Sequence, residues 1–203
     1  MACYYICRPL SLVPRWYFMR IIAGTCKGHH LAPLKGRQTR PTQDRIREAI
    51  FNILEPIGPF LNVADLFAGS GALGLEALSR WGGTAVFIEF SRPAVDCLRE
   101  NIRRLKMEES SRLIQRDLSR GVHFLNKTGG PFDLVFMDPP YGQGWCNSIA
   151  SSLLSLPVLK ETGILVLEHD LKEPIPEKVR DWGIGDQRRY GRTRVSFYKF
   201  MKG

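Results

Sequence analysis

From Leu61 to Asp170, short apolar runs alternate with stretches whose apolar residues recur at helical spacing. This alternation is that of an α/β domain whose mainly parallel sheet is covered on both faces. The runs predict strands at Asn62 to Phe67, Ala85 to Glu89, Arg112 to Gln115, Asp133 to Met137 and Ile164 to Glu168. Helical periodicity predicts helices over Ala72 to Trp81 and Arg92 to Leu105, with a shorter one over Ser119 to Asn126. The expected order is a doubly wound sheet. After Pro174 and Pro176 the pattern fades, until Val195, Phe197 and Phe200 alternate with polar neighbours in Arg194 to Phe200, the mark of a late antiparallel strand.

Upstream, Met19 to Ala23 and His30 to Leu34 flank Gly24-Thr25-Cys26-Lys27-Gly28, and glycine at both ends of a short polar segment predicts a small β-hairpin carrying Arg20 and Lys27. Thr42 stands where an N-cap would precede Ile46, Ile50, Phe51 and Leu54, and Pro56 and Gly58 end that helix. Three parts follow: an extension at 1–18, a hairpin and helix at 19–60, and a main domain at 61–203. The extension has neither a basic n-region nor a continuous apolar stretch, so it does not read as a secretory signal, and it is expected to be a disordered extension ahead of a second methionine, Met19.

A chain of 203 residues fits one such domain with a small appendage. No apolar run approaches the ~18 residues of a membrane span. The five cysteines are scattered without metal-site spacing, so neither a disulfide framework nor a zinc site is indicated, and a cytoplasmic protein is expected. Charge changes the picture more. Lys plus Arg number 29 against 20 Asp plus Glu, a net +9 that favours a polyanionic partner. The excess sits at both ends: Arg20, Lys27, Lys35, Arg37, Arg40, Arg45 and Arg47 against Asp44 alone, then Arg188, Arg189, Arg192, Arg194, Lys199 and Lys202 against no acid. A solvated face competes with a nucleic-acid surface as the reason.

Within the domain, Asp65-Leu66-Phe67-Ala68-Gly69-Ser70-Gly71-Ala72-Leu73-Gly74 runs from a buried strand through a tight turn into a helix. Formally it is the G-x-G-x-x-G fingerprint of dinucleotide sites, with Glu89 ending the next strand as an acceptor for ribose hydroxyls. NAD and S-adenosylmethionine compete here, and Asp65 tilts the choice: a carboxylate ahead of the glycines repels a pyrophosphate and attracts a sulfonium with its amino group. Asp117, just past the third strand, suits an adenine edge, with an ordinary loop acid as the competing reading.

The buried run Asp133-Leu134-Val135-Phe136-Met137 leads into Asp138-Pro139-Pro140-Tyr141, at the carboxyl end of a central strand, where doubly wound sheets bind ligands. Paired prolines fix φ and remove N–H donors, leaving stiffly held carbonyls and the Asp138 carboxylate as acceptors for an NH2 group. An exocyclic amine on a base is a poor nucleophile, because its lone pair is delocalised into the ring. Two acceptors holding its hydrogens favour a pyramidal geometry and stabilise the positive charge that develops. Tyr141 would stack on a base taken out of its helix, and no metal is required. The same loop serves guanine N2, adenine N6 and cytosine N4. A nicotinamide dehydrogenase and a non-catalytic RNA-binding module that kept the fold are the rivals from other classes.

The chain also resembles a known family. Met19-Arg20-Ile21-Ile22-Ala23-Gly24 with Lys27-Gly28, Thr39-Arg40-Pro41-Thr42 with Asp44-Arg45, Arg47-Glu48-Ala49 and Phe51-Asn52-Ile53-Leu54, followed by the glycine motif and the Asp138 loop, are similar to the RsmD-like amino-methyltransferases from Met19 to the C-terminus. The resemblance implies a Rossmann-like class I S-adenosylmethionine methyltransferase acting, as a monomer, on the N2 amine of one guanine in small-subunit (16S) ribosomal RNA within a protein-bound particle. It implies Asp138, Pro139, Pro140 and Tyr141 in catalysis, Asp65, Phe67, Gly69, Gly71, Glu89 and Asp117 around the cofactor, and Arg20, Lys27, Arg40 and Arg45 on RNA, with Arg188, Arg189, Arg192 and Arg194 extending that track. Residues 1–18 have no counterpart in the family pattern, and His29-His30 stand where more basic residues are usual.

Overall fold

A computed structural model of the protein describes residues 19–34 and 41–202. The expected extension at 1–18, Thr39 and Arg40 lie outside the described residues. Among the described residues a single sheet holds eight strands in the order β3-β2-β1-β4-β5-β8-β7-β6. They are β1 (Asn62–Leu66), β2 (Thr84–Glu89), β3 (Ser111–Gln115), β4 (Phe132–Met137), β5 (Leu159–Asp170), β6 (Lys178–Val179), β7 (Trp182–Tyr190) and β8 (Thr193–Phe200). The first five pair in parallel, and the last three join the β5 side antiparallel to their neighbours. Strand order reverses between β1 and β4, which opens a crevice at their carboxyl ends.

Burial on both faces explains the continuous apolar runs of the central strands. Val63, Phe87, Leu134, Phe136 and Val166 face α1 (Pro41–Leu54), α2 (Ala72–Trp81) and α3 (Arg92–Arg104), while Ala64, Leu66, Val86, Val135 and Met137 face α4 (Trp145–Leu154) and two 3-10 turns. In α3 the sequence Arg92-Pro93 starts the helix, where proline loses no bond, and Ala94, Val95, Leu98 and Ile102 form its buried stripe.

Three expectations change. The helix at Ser119 to Asn126 is instead the 3-10 turns Leu118–Arg120 and His123–Lys127, separated by Gly121 at φ +100°, a conformation through which no helix continues. The N-cap expected at Thr42 falls inside α1, because Pro41 already occupies the first turn. The N-terminal hairpin shrinks to a short antiparallel pairing of 19–21 with 28–31, in which the Arg20–His30 bridge is flanked by Ile21 N donating to the His29 carbonyl at 3.0 Å and Leu31 N to the Met19 carbonyl at 2.8 Å. The hairpin is cut short because the backbone N–H groups of Ile22 and Ala23 donate to the buried Glu76 carboxylate, at 2.7 and 2.9 Å, rather than across a ladder. Ser79 Oγ accepts from Cys26 N, and Asn101 Oδ1 accepts from Ala32 N at 2.7 Å while its amide donates to the Ser70 carbonyl at 2.9 Å. Residues 19–34 are thus a strap bound to α2 and α3 by buried side chains.

Glu76 also holds Arg80 Nε at 2.8 Å, and its side chain is fully buried. Glu76→Gln removes the charge and turns one acceptor into a donor facing a backbone N–H. The expected cost is about 2 kcal/mol, a fall in Tm of roughly 5 °C, read by calorimetry.

Candidate active site

The turn after β1 is built around a backbone that only particular residues tolerate. Phe67 sits at φ +62°, in the left-handed region that strongly disfavours an aromatic residue, and its ring stacks on Trp145 with centroids 5.5 Å apart and planes 18° off parallel. Gly71 lies at φ +82°, and a Cβ there would approach Leu98 Cδ1 to 2.2 Å, so the entry to α2 requires glycine. Two carboxylates brace this turn. Asp65 Oδ2 accepts from Gly74 N at 2.9 Å. Glu89 accepts from Gly69 N at 2.8 Å with one oxygen, and from Phe90 N and Ser91 N at 2.9 and 2.8 Å with the other.

Cavities open on either side of Phe67 and Gly69. One, about 110 Å³, is lined by Leu34, Arg47, Asp65, Asp138 and Glu168 among others. The other, about 420 Å³, is lined by Glu89, Phe90, Asp117, Pro140 and Trp145 among others, and Asp138 borders it too. Asp117 accepts from Ser119 N at 2.9 Å, and hydrogen bonding to Ser119 holds its carboxyl below the usual carboxylate range.

The first cavity is strongly acidic. Burial pushes the Asp65 carboxyl up to about 7; the Gly74 N–H opposes this, and the charges of Asp138 and Glu89 add to it. Glu168, at the end of β5, is pushed up to about 8, by burial first and then by Asp138. Arg47 is the one basic group lining this cavity among the described residues. Its guanidinium donates to the Arg20 carbonyl at 2.6 Å and lies 3.2 Å from Asp44. A cationic ligand seated here would favour the charged form of these raised carboxyls, so a site with three carboxyls and one guanidinium suits a ligand carrying two positive charges and one negative.

Asp138, which opens its loop, lines this cavity together with the glycine turn. Asp138 is half-buried, Pro139 is buried, and Pro140 and Tyr141 are exposed. The Tyr141 hydroxyl donates to Glu168 Oε1 at 3.3 Å and lies 3.3 Å from Thr193 Oγ1, while the residue as a whole is exposed. The expected cofactor residues and Asp138 are therefore brought together around two adjoining cavities, with Gly71 just behind them in the turn.

The basic residues are dispersed. Arg20 and Lys27 are exposed on the strap, Arg45 is exposed on α1, and Arg188, Arg189 and Arg192 are exposed on the β7–β8 hairpin, with Arg194 half-buried. Two hairpin arginines have acidic neighbours: Arg188 with Asp186 at 3.0 Å and Arg192 with Asp170 at 3.3 Å. The residues that sequence reasoning missed are Glu168, Arg47 and Trp145. Glu168 was legible as an acid ending a predicted strand, as Glu89 was, and Trp145 follows Gly142 and Gly144 at the start of an unpredicted helix.

The family model described as Conserved hypothetical protein 95 matches residues 19–199. A candidate rRNA methyltransferase, YlbH, of Bacillus subtilis is 35% identical over 181 residues, which cover 89% of this chain and 98% of that protein. Ribosomal RNA small subunit methyltransferase D of Escherichia coli is 33% identical over 181 residues, 89% of each chain. The solved structure of a candidate methyltransferase, yhhF, from Escherichia coli superposes with a TM-score of 0.77 at 33% identity, over 92% of this chain and 99% of that one.

Proposed function

The chain belongs to the RsmD family, Conserved hypothetical protein 95, and on that premise we propose that it transfers the methyl group of S-adenosylmethionine to the exocyclic N2 amine of a guanine in small-subunit (16S) ribosomal RNA. The observation that carries this reading is the common cavity of Asp65, Asp138 and the glycine turn. Amine acceptors and an anionic pocket for a cationic ligand share one space.

The donor set fits the cofactor. Asp65 suits its ammonium and sulfonium charges, and Arg47, which lines the same cavity, suits the carboxylate. Glu89 uses three backbone N–H groups and keeps acceptor capacity for ribose hydroxyls. Phe67, Gly69 and Gly71 would shape the bed, and Asp117, which lines the larger cavity, would hold the adenine edge. When bound, the cofactor supplies an electrophilic methyl group. Asp138 and the Pro139 carbonyl accept the hydrogens of the amine, and Pro140 keeps the loop stiff. Tyr141 stacks on the unpaired base.

Residues 19–60 and the β7–β8 hairpin would bind RNA phosphates through Arg20, Lys27, Arg40 and Arg45, and through Arg188, Arg189, Arg192 and Arg194. The acting species is a cytoplasmic monomer, and the substrate is RNA in a small-subunit particle. Changing Arg188, Arg189 and Arg192 together to Gln should weaken RNA binding. The slope of log affinity against log salt should flatten by about 2, less than one per arginine for all three because two are already paired with acids. Filter binding across a potassium chloride series reads this.

Transfer of labelled methyl to isolated ribosomal RNA, small subunits and DNA tests the function. Label in guanine of the small-subunit RNA is expected; label confined to adenine of DNA contradicts it.

A further inference from the structure

Three strands each bring a carboxylate to one rim: Asp65 from β1, Asp138 from the end of β4 and Glu168 from β5. Asp65 and Asp138 have individual roles above, whereas Glu168 so far only adds to the acidity of the cavity. Its carboxylate accepts the Tyr141 hydroxyl, which also meets Thr193 at the same 3.3 Å. Thr193 opens β8 directly after Tyr190-Gly191-Arg192, so it belongs to the arginine-bearing hairpin. Tyr141 is 45% exposed as a residue, so its ring can present a face to a ligand while its hydroxyl is anchored at β5 and β8. A ring fixed in this way loses little further rotamer freedom when a base stacks on it.

We propose that Glu168 is a positioning residue for methyl transfer: through the Tyr141 hydroxyl it holds the ring on which the target base stacks, and with Thr193 it ties that ring to the β7–β8 hairpin. The proposal rests on the amine-methyltransferase reading of the site. An ionised carboxylate accepts a phenolic hydrogen more strongly than a protonated one. The groups that share the rim with Glu168 are Asp138 and Tyr141 beyond β4, Asp65 on β1, Arg47 on α1 and Thr193 on β8. With burial and Asp138 raising its carboxyl to about 8, the grip on Tyr141 strengthens as pH rises through that value.

The full chain, with tyrosine rings labelled with carbon-13 beside the hydroxyl, provides the test, the Tyr141 signal being assigned by its loss in Tyr141→Phe. Between about pH 6 and 9.5 that signal should move with a midpoint near 8. Glu168→Gln, which can still accept the hydroxyl but does not titrate, should abolish this movement. In methyl transfer to small-subunit RNA, Glu168→Ala should lower kcat roughly tenfold, and the double variant with Tyr141→Phe should be no slower than Tyr141→Phe alone. Multiplicative losses in the double variant, or an unchanged Tyr141 titration in Glu168→Gln, overturn the proposal. If the wild-type chain methylates no RNA, the functional reading fails, and the titration still decides whether Glu168 holds Tyr141.

Discussion

Asp138→Ala should lower the single-turnover rate of methyl transfer by about three orders of magnitude while RNA affinity stays within about twofold. The amine must give up conjugation with its ring to attack, and Asp138 stands at the carboxyl end of β4, in the cavity that holds Asp65 and the glycine turn. Alanine removes the acceptor and the negative charge that stabilises the developing cation. The variant should remain folded, because Asp138 is only half-buried and the following prolines hold the loop. A second consequence separates this from general damage. Asp138 is among the causes that raise both Asp65 and Glu168, so in Asp138→Ala both carboxyls should titrate lower than in the wild type. Quench-flow with labelled cofactor, alongside filter binding of RNA, reads the main effect; undiminished transfer would refute the role.

Asp65→Asn should weaken S-adenosylmethionine binding about a hundredfold, the cost of removing one partner from a buried charge pair. The same change should stabilise the ligand-free protein above neutral pH. Burial raises the folded-state carboxyl from 3.8 to about 7, so the folded state binds the proton more tightly than the unfolded chain. The resulting penalty is absent below about pH 4, grows between the two values and is complete above about 7. Asparagine removes a penalty of about 4 kcal/mol at pH 8, seen as a Tm several degrees higher than the wild type, and the gain should shrink towards pH 5. Wild-type cofactor affinity should fall as pH drops through about 7, whereas that of Asp65→Asn should stay flat. Calorimetric titration across pH reads both. A variant that binds cofactor as the wild type does would remove Asp65 from the site.

Much of this site was legible because parallel strands buried on both faces leave a plain apolar trace, and the loops that follow them carry the chemistry. The positions of Asp65, Glu89 and Asp138 at the carboxyl ends of β1, β2 and β4 follow from that trace alone. Strand β7 left no such trace. Trp182-Gly183-Ile184-Gly185-Asp186-Gln187-Arg188-Arg189-Tyr190 has two glycines and a charged run, and it becomes a strand because β8 pairs along its length. The serines of α4 obscured Cys146, Ile149, Ala150, Leu153 and Leu154, which stand at helical spacing and are all buried. The strap could not be inferred, because its backbone bonds run to Glu76 and Asn101, more than 50 positions away in sequence. Glu168 escaped notice because its meaning depends on Tyr141, a residue that only the folded sheet brings beside it.

The central claim is that the methyl group reaches N2 of a guanine in small-subunit ribosomal RNA. Mass mapping of that RNA from cells lacking the protein, before and after treatment of their small subunits with the purified chain and S-adenosylmethionine, tests it most directly. One guanine should lack its N2-methyl group in those cells and regain it on treatment, with no regain from Asp138→Ala. Restoration of a methyl group on adenine or cytosine, or an unchanged RNA mass in cells lacking the protein, would contradict the account.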